Sequence, residues 1–205
     1  MSSETPRSRT SAGDVRPLLV AAGRRILERD GAAALTVRAV AKEAGVAPMG
    51  VYNHFDGKEG LLDAVVTDGF AEFGAAIATT DAEAAARLIA SGIAYRDFAL
   101  ANPVLYSLMF STTCEAEGTT VARAFDNLVD IVRYAQVGGV IRAGDPVEIA
   151  VQVWSCAHGA VSLELAGAEP ALSRAGAESG AEAFADHGAK NYENVLALIV
   201  RGLAP

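Results

Sequence analysis

An all-α fold, with a small N-terminal three-helix unit joined by a linking helix to a larger helical body, is predicted by three features. Apolar residues recur at helical spacing along most of the chain, and no run alternates with the period of two that a half-buried strand needs. Alanine is abundant and β-branched runs are short, which favours helix. Asp, Asn and Thr stand before apolar runs and Gly stands after them, so starts and stops recur at helix-length intervals. With 205 residues, 51% of them hydrophobic, the chain is long enough for a sizeable core in one domain or two small ones.

In chain order, residues 1–13 are rich in Ser, Thr and Arg and read as a flexible tail. The first helix is expected from about Val15 to Arg29, with Asp14 as cap, Pro17 in its first turn and Leu18, Leu19, Ala22, Ile26 and Leu27 inward. Asp30-Gly31 ends it, and Leu35 helps anchor the next pair of helices. Thr36 is a good N-cap, because its hydroxyl can accept from an orphaned backbone N–H. Val37, Val40, Ala41 and Ala44 then share a helix face, leaving Arg38, Lys42 and Glu43 outside. Gly45 can supply the positive φ of a sharp stop. Pro48 is tolerated in the first turn of a second short helix, where its missing N–H has no partner.

Two helices joined by a three- or four-residue turn containing Gly form a helix-turn-helix, whose second helix can enter the major groove of DNA. That second helix, PMGVYNHF, is short and polar on one side. Val51 and Phe55 can face inward, which leaves Met49, Gly50, Tyr52, Asn53 and His54 towards a partner. Asn and His offer donors and acceptors to base edges, Tyr can reach a phosphate, and Gly50 lets backbone approach closely. After it, Asp56 can cap a further helix with Glu59 at the capping-box position. Lys58 in that first turn would meet a phosphate together with free N–H groups. Leu61, Leu62, Val65, Val66, Phe70 and Phe73 make its long apolar face.

Residues 36–61 carry a threonine, AxxAGV, YxHF and then Lys58-Glu59-x-Leu61, all in register. This stretch resembles the DNA-binding signature of the TetR family of one-component bacterial regulators, and the resemblance spans roughly residues 14–70. It implies a homodimer on double-stranded operator DNA, with Thr36, Val37, Ala47, Pro48, Met49, Gly50, Tyr52, Asn53, His54 and Lys58 at the interface. Phosphates would be met by Thr36, Tyr52, His54 and Lys58, and bases by Met49, Gly50 and Asn53. At the turn position where the family often carries Ser or Thr, this chain has Ala47, so one phosphate contact is missing. The implied organisation is a tail over 1–13, a DNA-binding unit over 14–60 with its helix-turn-helix at 36–55, a linking helix over 61–80 and a body over 81–205.

The body is expected to open at Asp81 as an N-cap and to be helical to about Ala101. Asn102-Pro103 starts a short helix, PVLYSLMF, and a loop, STTCEAEG, leads to a helix through Tyr134 stopped by Gly138-Gly139. Asp145-Pro146 starts VEIAVQVWSCAHGAVSLELAG, ended by Gly167. Residues 168–180 are small and polar, and a last helix spans roughly 181–202. YRDFALANPVLYSLMF followed by Trp154, His158 and Gly159 resembles the TetR-type C-terminal domain named for a Trp-His-Gly pattern. That resemblance implies a ligand-binding and dimerisation domain.

Tyr95, Phe98, Tyr106, Met109, Phe110, Phe125, Trp154 and His158 are the candidate lining of an apolar effector pocket. Residue by residue, core packing is the alternative reading, because aromatic stripes at helical spacing are usually core. Val161, Leu165, Tyr192, Leu196, Ile199 and Leu203 on the last two long helices are the candidate dimer surface.

Up to Lys58, nine cations face six anions, a balance of +3; the net charge of −8 leaves −11 on the rest. A basic head on an acidic body suits a protein that holds DNA at one end only. Cys114 and Cys156 have neither CxxC nor zinc spacing, so no metal is expected and reduced cytoplasmic thiols are. No apolar run reaches the ~20 residues that span a bilayer, and the polar start carries no secretory signal. An enzyme in a helical scaffold finds no support, since HExxH, GxSxG, a phosphate loop and a carboxylate cluster are all lacking from the sequence, and no cofactor is expected. The expected function is a repressor released from its operator by a small, largely apolar effector; the alternative is a ligand-independent activator.

Overall fold

The computed structural model describes residues 12–167 and 182–205, with side chains described over 15–167 and 188–205. Among the described residues it consists of nine α-helices and one 3-10 turn. These are α1 (Ala12–Asp30), the 3-10 turn (Ala32–Ala34), α2 (Val37–Ala44), α3 (Pro48–Tyr52), α4 (Gly57–Ile77) and α5 (Ala84–Ala101). They continue with α6 (Pro103–Met109), α7 (Gly118–Val137), α8 (Pro146–Leu165) and α9 (Glu182–Gly202). Residues 1–11 of the expected tail and the small polar stretch 168–180 lie outside the described residues.

In the head, α1, α2, α3 and the start of α4 close around Leu19, Leu27, Leu35, Val40, Val51 and Leu61, each fully withdrawn from solvent. α1 begins three residues earlier than expected, so Pro17 sits inside the helix. Its stripe is centred on Leu19, Ala22 and Ile26, which leaves Leu18, turned about 100° away, 42% exposed. Where α1 crosses α4, an added Cβ on Gly23 would stand 3.0 Å from Val65 Cγ2, so glycine sets the interhelix distance.

Thr36 caps α2 as anticipated: Ala39 N donates to its Oγ1 at 3.2 Å. Gly45 ends that helix at φ +70°. The caps of α4 and α5 differ from expectation. Asp56 stands at the start of α4 without a side-chain cap bond, because the chain enters the helix through Gly57 at φ +67°. The cap of α5 is Glu83 and not Asp81; its carboxylate accepts from Ala85 N at 3.1 Å and Ala86 N at 2.6 Å.

The start of α6 is held from the head. Leu105 N, in its first turn, donates to Glu28 Oε1 of α1 at 3.1 Å. Asn102 makes no cap bond; its Oδ1 accepts from Arg24 Nη2 of α1 at 2.8 Å and its Nδ2 donates to Phe98 O at 2.9 Å. Past α6, the loop lies along α4: Glu115 N donates to Asp63 Oδ1 at 2.8 Å and Glu117 N to Thr67 Oγ1 at 3.0 Å.

In the body, α4 packs against α5, α6 and α7, and α8 against α5, α7 and α9. Asp145 caps α8 by accepting from Val147 N at 2.8 Å. α9 lies close on its own subunit at two glycines: an added Cβ on Gly92 of α5 would meet Leu196 Cδ2 at 2.5 Å, and one on Gly188 would meet Glu164 Oε1 at 2.5 Å. Between them, Tyr192 OH donates to Gly92 O at 2.8 Å. Arg96 of α5 and Glu164 of α8 form a two-pronged ion pair at 2.6 and 2.9 Å.

Candidate functional site

On the head, α3 stands on Val51 and Phe55, both buried, and turns its other side outward. Met49 is 66% and Tyr52 59% exposed, three residues apart and so on one side of the short helix. Thr36, Ala47, Pro48 and Asn53 are also exposed, while Val37, Gly50, His54 and Lys58 are half-buried. Thr36 Oγ1 accepts from Ala39 N, so its proton remains available to donate to a phosphate. An added Cβ on Gly50 would meet Val46 and Val15 of the head at 3.6 to 4.0 Å, ordinary contact distances.

The head's charge is partly spent within the protein. Arg25 pairs with Glu43 at 3.0 Å, Arg29 with Asp30 at 2.8 Å, and Arg24 with Glu72 of α4. The Arg29 hydrogen bond lowers the Asp30 carboxyl, and the Arg25 hydrogen bond does the same for Glu43, so both anions stay charged. Arg38 and Lys42 are exposed on α2, and Lys58 lies in the first turn of α4 next to α3.

In the body, a cavity of about 340 Å³ lies among α4, α5, α6, α7, α8 and α9. Of the eight residues expected to line it, Tyr95, Met109, Phe110, Phe125 and Trp154 do so. Phe98, Tyr106 and His158 do not. Phe98 packs edge-on to Phe73 at 5.3 Å, and Tyr106 and His158 stand behind Tyr95. The hydroxyls of Tyr95 and Tyr106 are 2.9 Å apart, and His158 Nδ1 lies 2.9 Å from the first and 2.8 Å from the second. Burial pushes both phenols up and the His158 imidazolium down, so all three groups are held neutral.

Sequence reasoning did not assign to the cavity any residue of α4, where Phe70, Phe73 and Ile77 line it, nor Leu88, Ile89, Ser91 and Gly92 beside Tyr95 on α5. The signal for α4 was present, because its apolar residues spread too far round the helix for one buried face.

Four of the six candidate dimer residues are already buried within the subunit: Val161, Tyr192, Leu196 and Leu203, at 0 to 7% exposure. Leu165 and Ile199 are half-buried, and Leu196 and Ile199 line the cavity. The cause is that the apolar stripe of α9 is consumed by α5 and α8 of its own chain. What α8 and α9 turn outward is a different set, with Val151, Leu163 and Leu198 at 43, 54 and 60% exposure and Ser155 and Gly159 between them on α8. Among the described residues, no helix is long and apolar enough to cross a membrane.

Solved structures of similar architecture include a Rhodococcus sp. RHA1 protein of unknown function, 30% identical with a TM-score of 0.73, over 98% of this chain and 100% of that one. Another is Mycobacterium smegmatis BioQ, 25% identical with a TM-score of 0.60, over 92% and 97%. A third is a TetR transcriptional regulator from Streptomyces coelicolor, 21% identical with a TM-score of 0.64, over 93% and 99%, a likeness of fold alone. No curated protein matches the chain in sequence. A family model described as a Tetracyclin repressor-like C-terminal domain matches residues 88–187. A second, described as bacterial regulatory proteins of the tetR family, matches residues 19–65, which hold the whole of α2 and α3 with their exposed Met49 and Tyr52. With both its head and its body matched, the chain belongs to the TetR family of DNA-binding transcriptional regulators.

Proposed function

We propose that the chain is a homodimeric repressor that holds operator DNA with α3 and releases it when a largely apolar effector fills the body cavity. Tyr52, Thr36, His54 and Lys58 meet phosphates, and Met49 and Asn53 meet base edges in the major groove. The dimer uses the outward side of α8 and α9, where Ser155 and Gly159 allow close helix approach and Val151, Leu163 and Leu198 supply apolar area.

The observation that carries the coupling is the reach of α4. Its 21 residues, about 30 Å of helix, begin at Gly57, with Lys58 in the first turn beside α3, and carry Phe70, Phe73 and Ile77 into the cavity wall. A ligand releases DNA only if it binds better to the conformation whose recognition helices are mis-spaced for half-sites. A helix that belongs to both ends can make that preference felt.

The test is binding of the purified protein to DNA from upstream of its own gene, by fluorescence anisotropy at two salt concentrations. Sequence-selective binding that weakens with salt supports the reading. Tyr52→Ala should weaken that binding by about tenfold or more, as loss of an interface aromatic does, with an unchanged melting temperature because the side chain touches solvent and not core. Unchanged affinity would sink the assignment of α3.

A further inference from the structure

We propose that the cavity selects its effector by charge: it admits an uncharged, hydrocarbon-rich molecule and rejects acids and ammonium ions of the same carbon skeleton. This rests on the reading of the cavity as an effector site. Its lining has two halves. One is aliphatic, with Ile77, Leu88, Leu128, Val153 and Val200. The other is aromatic, with Phe70, Phe73, Phe110, Phe125 and Trp154 in edge-to-face contacts at 5.6 Å for Phe70–Phe110 and 6.3 Å for Phe73–Phe110 and Phe125–Trp154. Among the described residues, no Asp, Glu, Lys, Arg or His lines the cavity.

The charged and polar groups near the wall are already committed elsewhere. Arg96 and Glu164 neutralise each other through two hydrogen bonds and do not line the cavity. Tyr95 does line it, but its hydroxyl is shared between Tyr106 and His158, and a phenol has one proton to give. His158 is kept neutral by burial, so it offers a carboxylate no counter-charge. An ammonium would find no carboxylate among the described lining residues, and the rings turn edges to one another's faces instead of forming a cage around a cation. An ion entering here would lose its hydration and gain no partner, whereas a hydroxyl can still meet the Ser91 side chain on the wall. The rim is apolar as well: Ile89 is 39% exposed and Ala122 is exposed.

Trp154 is the single tryptophan of the chain and lies on the wall, so its emission reports occupancy without DNA. The full-length protein is titrated with decan-1-ol, decanoate and decylammonium at about pH 7.5, where the acid and the amine are ionised, each below its aggregation concentration. Decanol should change Trp154 emission saturably, with a Kd at least about thirtyfold lower than either ion. Ala122→Phe, on an exposed stretch of α7 at the rim, should weaken decanol at least about fivefold without altering the melting temperature. Decanoate or decylammonium binding as tightly as decanol overturns the charge selection, and so does the absence of a saturable response to all three. Decanol that fills the cavity yet leaves the operator complex intact would instead refute the effector reading while the selectivity stands.

Discussion

Replacing Glu164 by alanine removes one half of the bridge that ties α5 to α8. Arg96 and Glu164 side chains are 17% and 15% exposed, closer to buried than to surface. Breaking a fully buried pair costs about 3–5 kcal/mol and an exposed one about 0.2–1 kcal/mol, so Glu164→Ala should cost about 2–3 kcal/mol. For a chain of 205 residues that lowers the melting temperature by about 4–12 °C. The assay is urea unfolding followed by circular dichroism, at one fixed protein concentration because a dimer's stability depends on it. Arg96→Leu with Glu164→Leu should recover most of the loss, since two apolar side chains leave no orphaned charge. Gly188→Ala adds a second check. In the native chain its Cβ would push the Glu164 carboxylate, 2.5 Å away, off Arg96; with Glu164→Ala already present there is nothing to push. The two losses should therefore be less than additive. A Glu164→Ala protein within about 0.5 kcal/mol of the native one, or strictly additive losses, would refute the argument.

Two further outcomes are expected. Gly45 at φ +70° has nothing within 4 Å of an added Cβ, so Gly45→Ala should cost only the backbone strain of about 1–2 kcal/mol, read as a fall in melting temperature. His158 has its proton affinity lowered by burial from an ordinary 6.5, so the unfolded chain binds a proton that the folded chain refuses. Stability from this group is complete above that pH and falls as the pH drops through it. His158→Asn, which keeps an acceptor for the two phenols, should flatten the decline of the urea midpoint between about pH 7 and 5.

The head was legible because each of its signals is local. Thr36 bonds within its own turn, Gly45 needs only its own φ, and Val51 and Phe55 are one helical turn apart. What escaped reading was what depends on another helix. Asp81 and Asp56 look like caps in sequence, but Glu83 and a turn at Gly57 decide the geometry. The amphipathic stripe of α9 told truly that one face is buried, but periodicity carries no label for whose helix buries it. Leu196 and Ile199 went to the subunit's own cavity. Likewise, Tyr95, Tyr106 and His158 were grouped correctly as neighbours, yet only their hydrogen bonds divide the wall from the layer behind it.

The bond from Leu105 N to Glu28, together with Arg24 on Asn102, bears on how such a protein could be recombined. A chimera that grafts a foreign head by cutting at the start of α4 would carry α1 away from α6 and leave the first turn of α6 without its acceptor. Operator specificity and effector response could still be exchanged between regulators as separate modules, provided that positions 24, 28, 102 and 105 travel as one set.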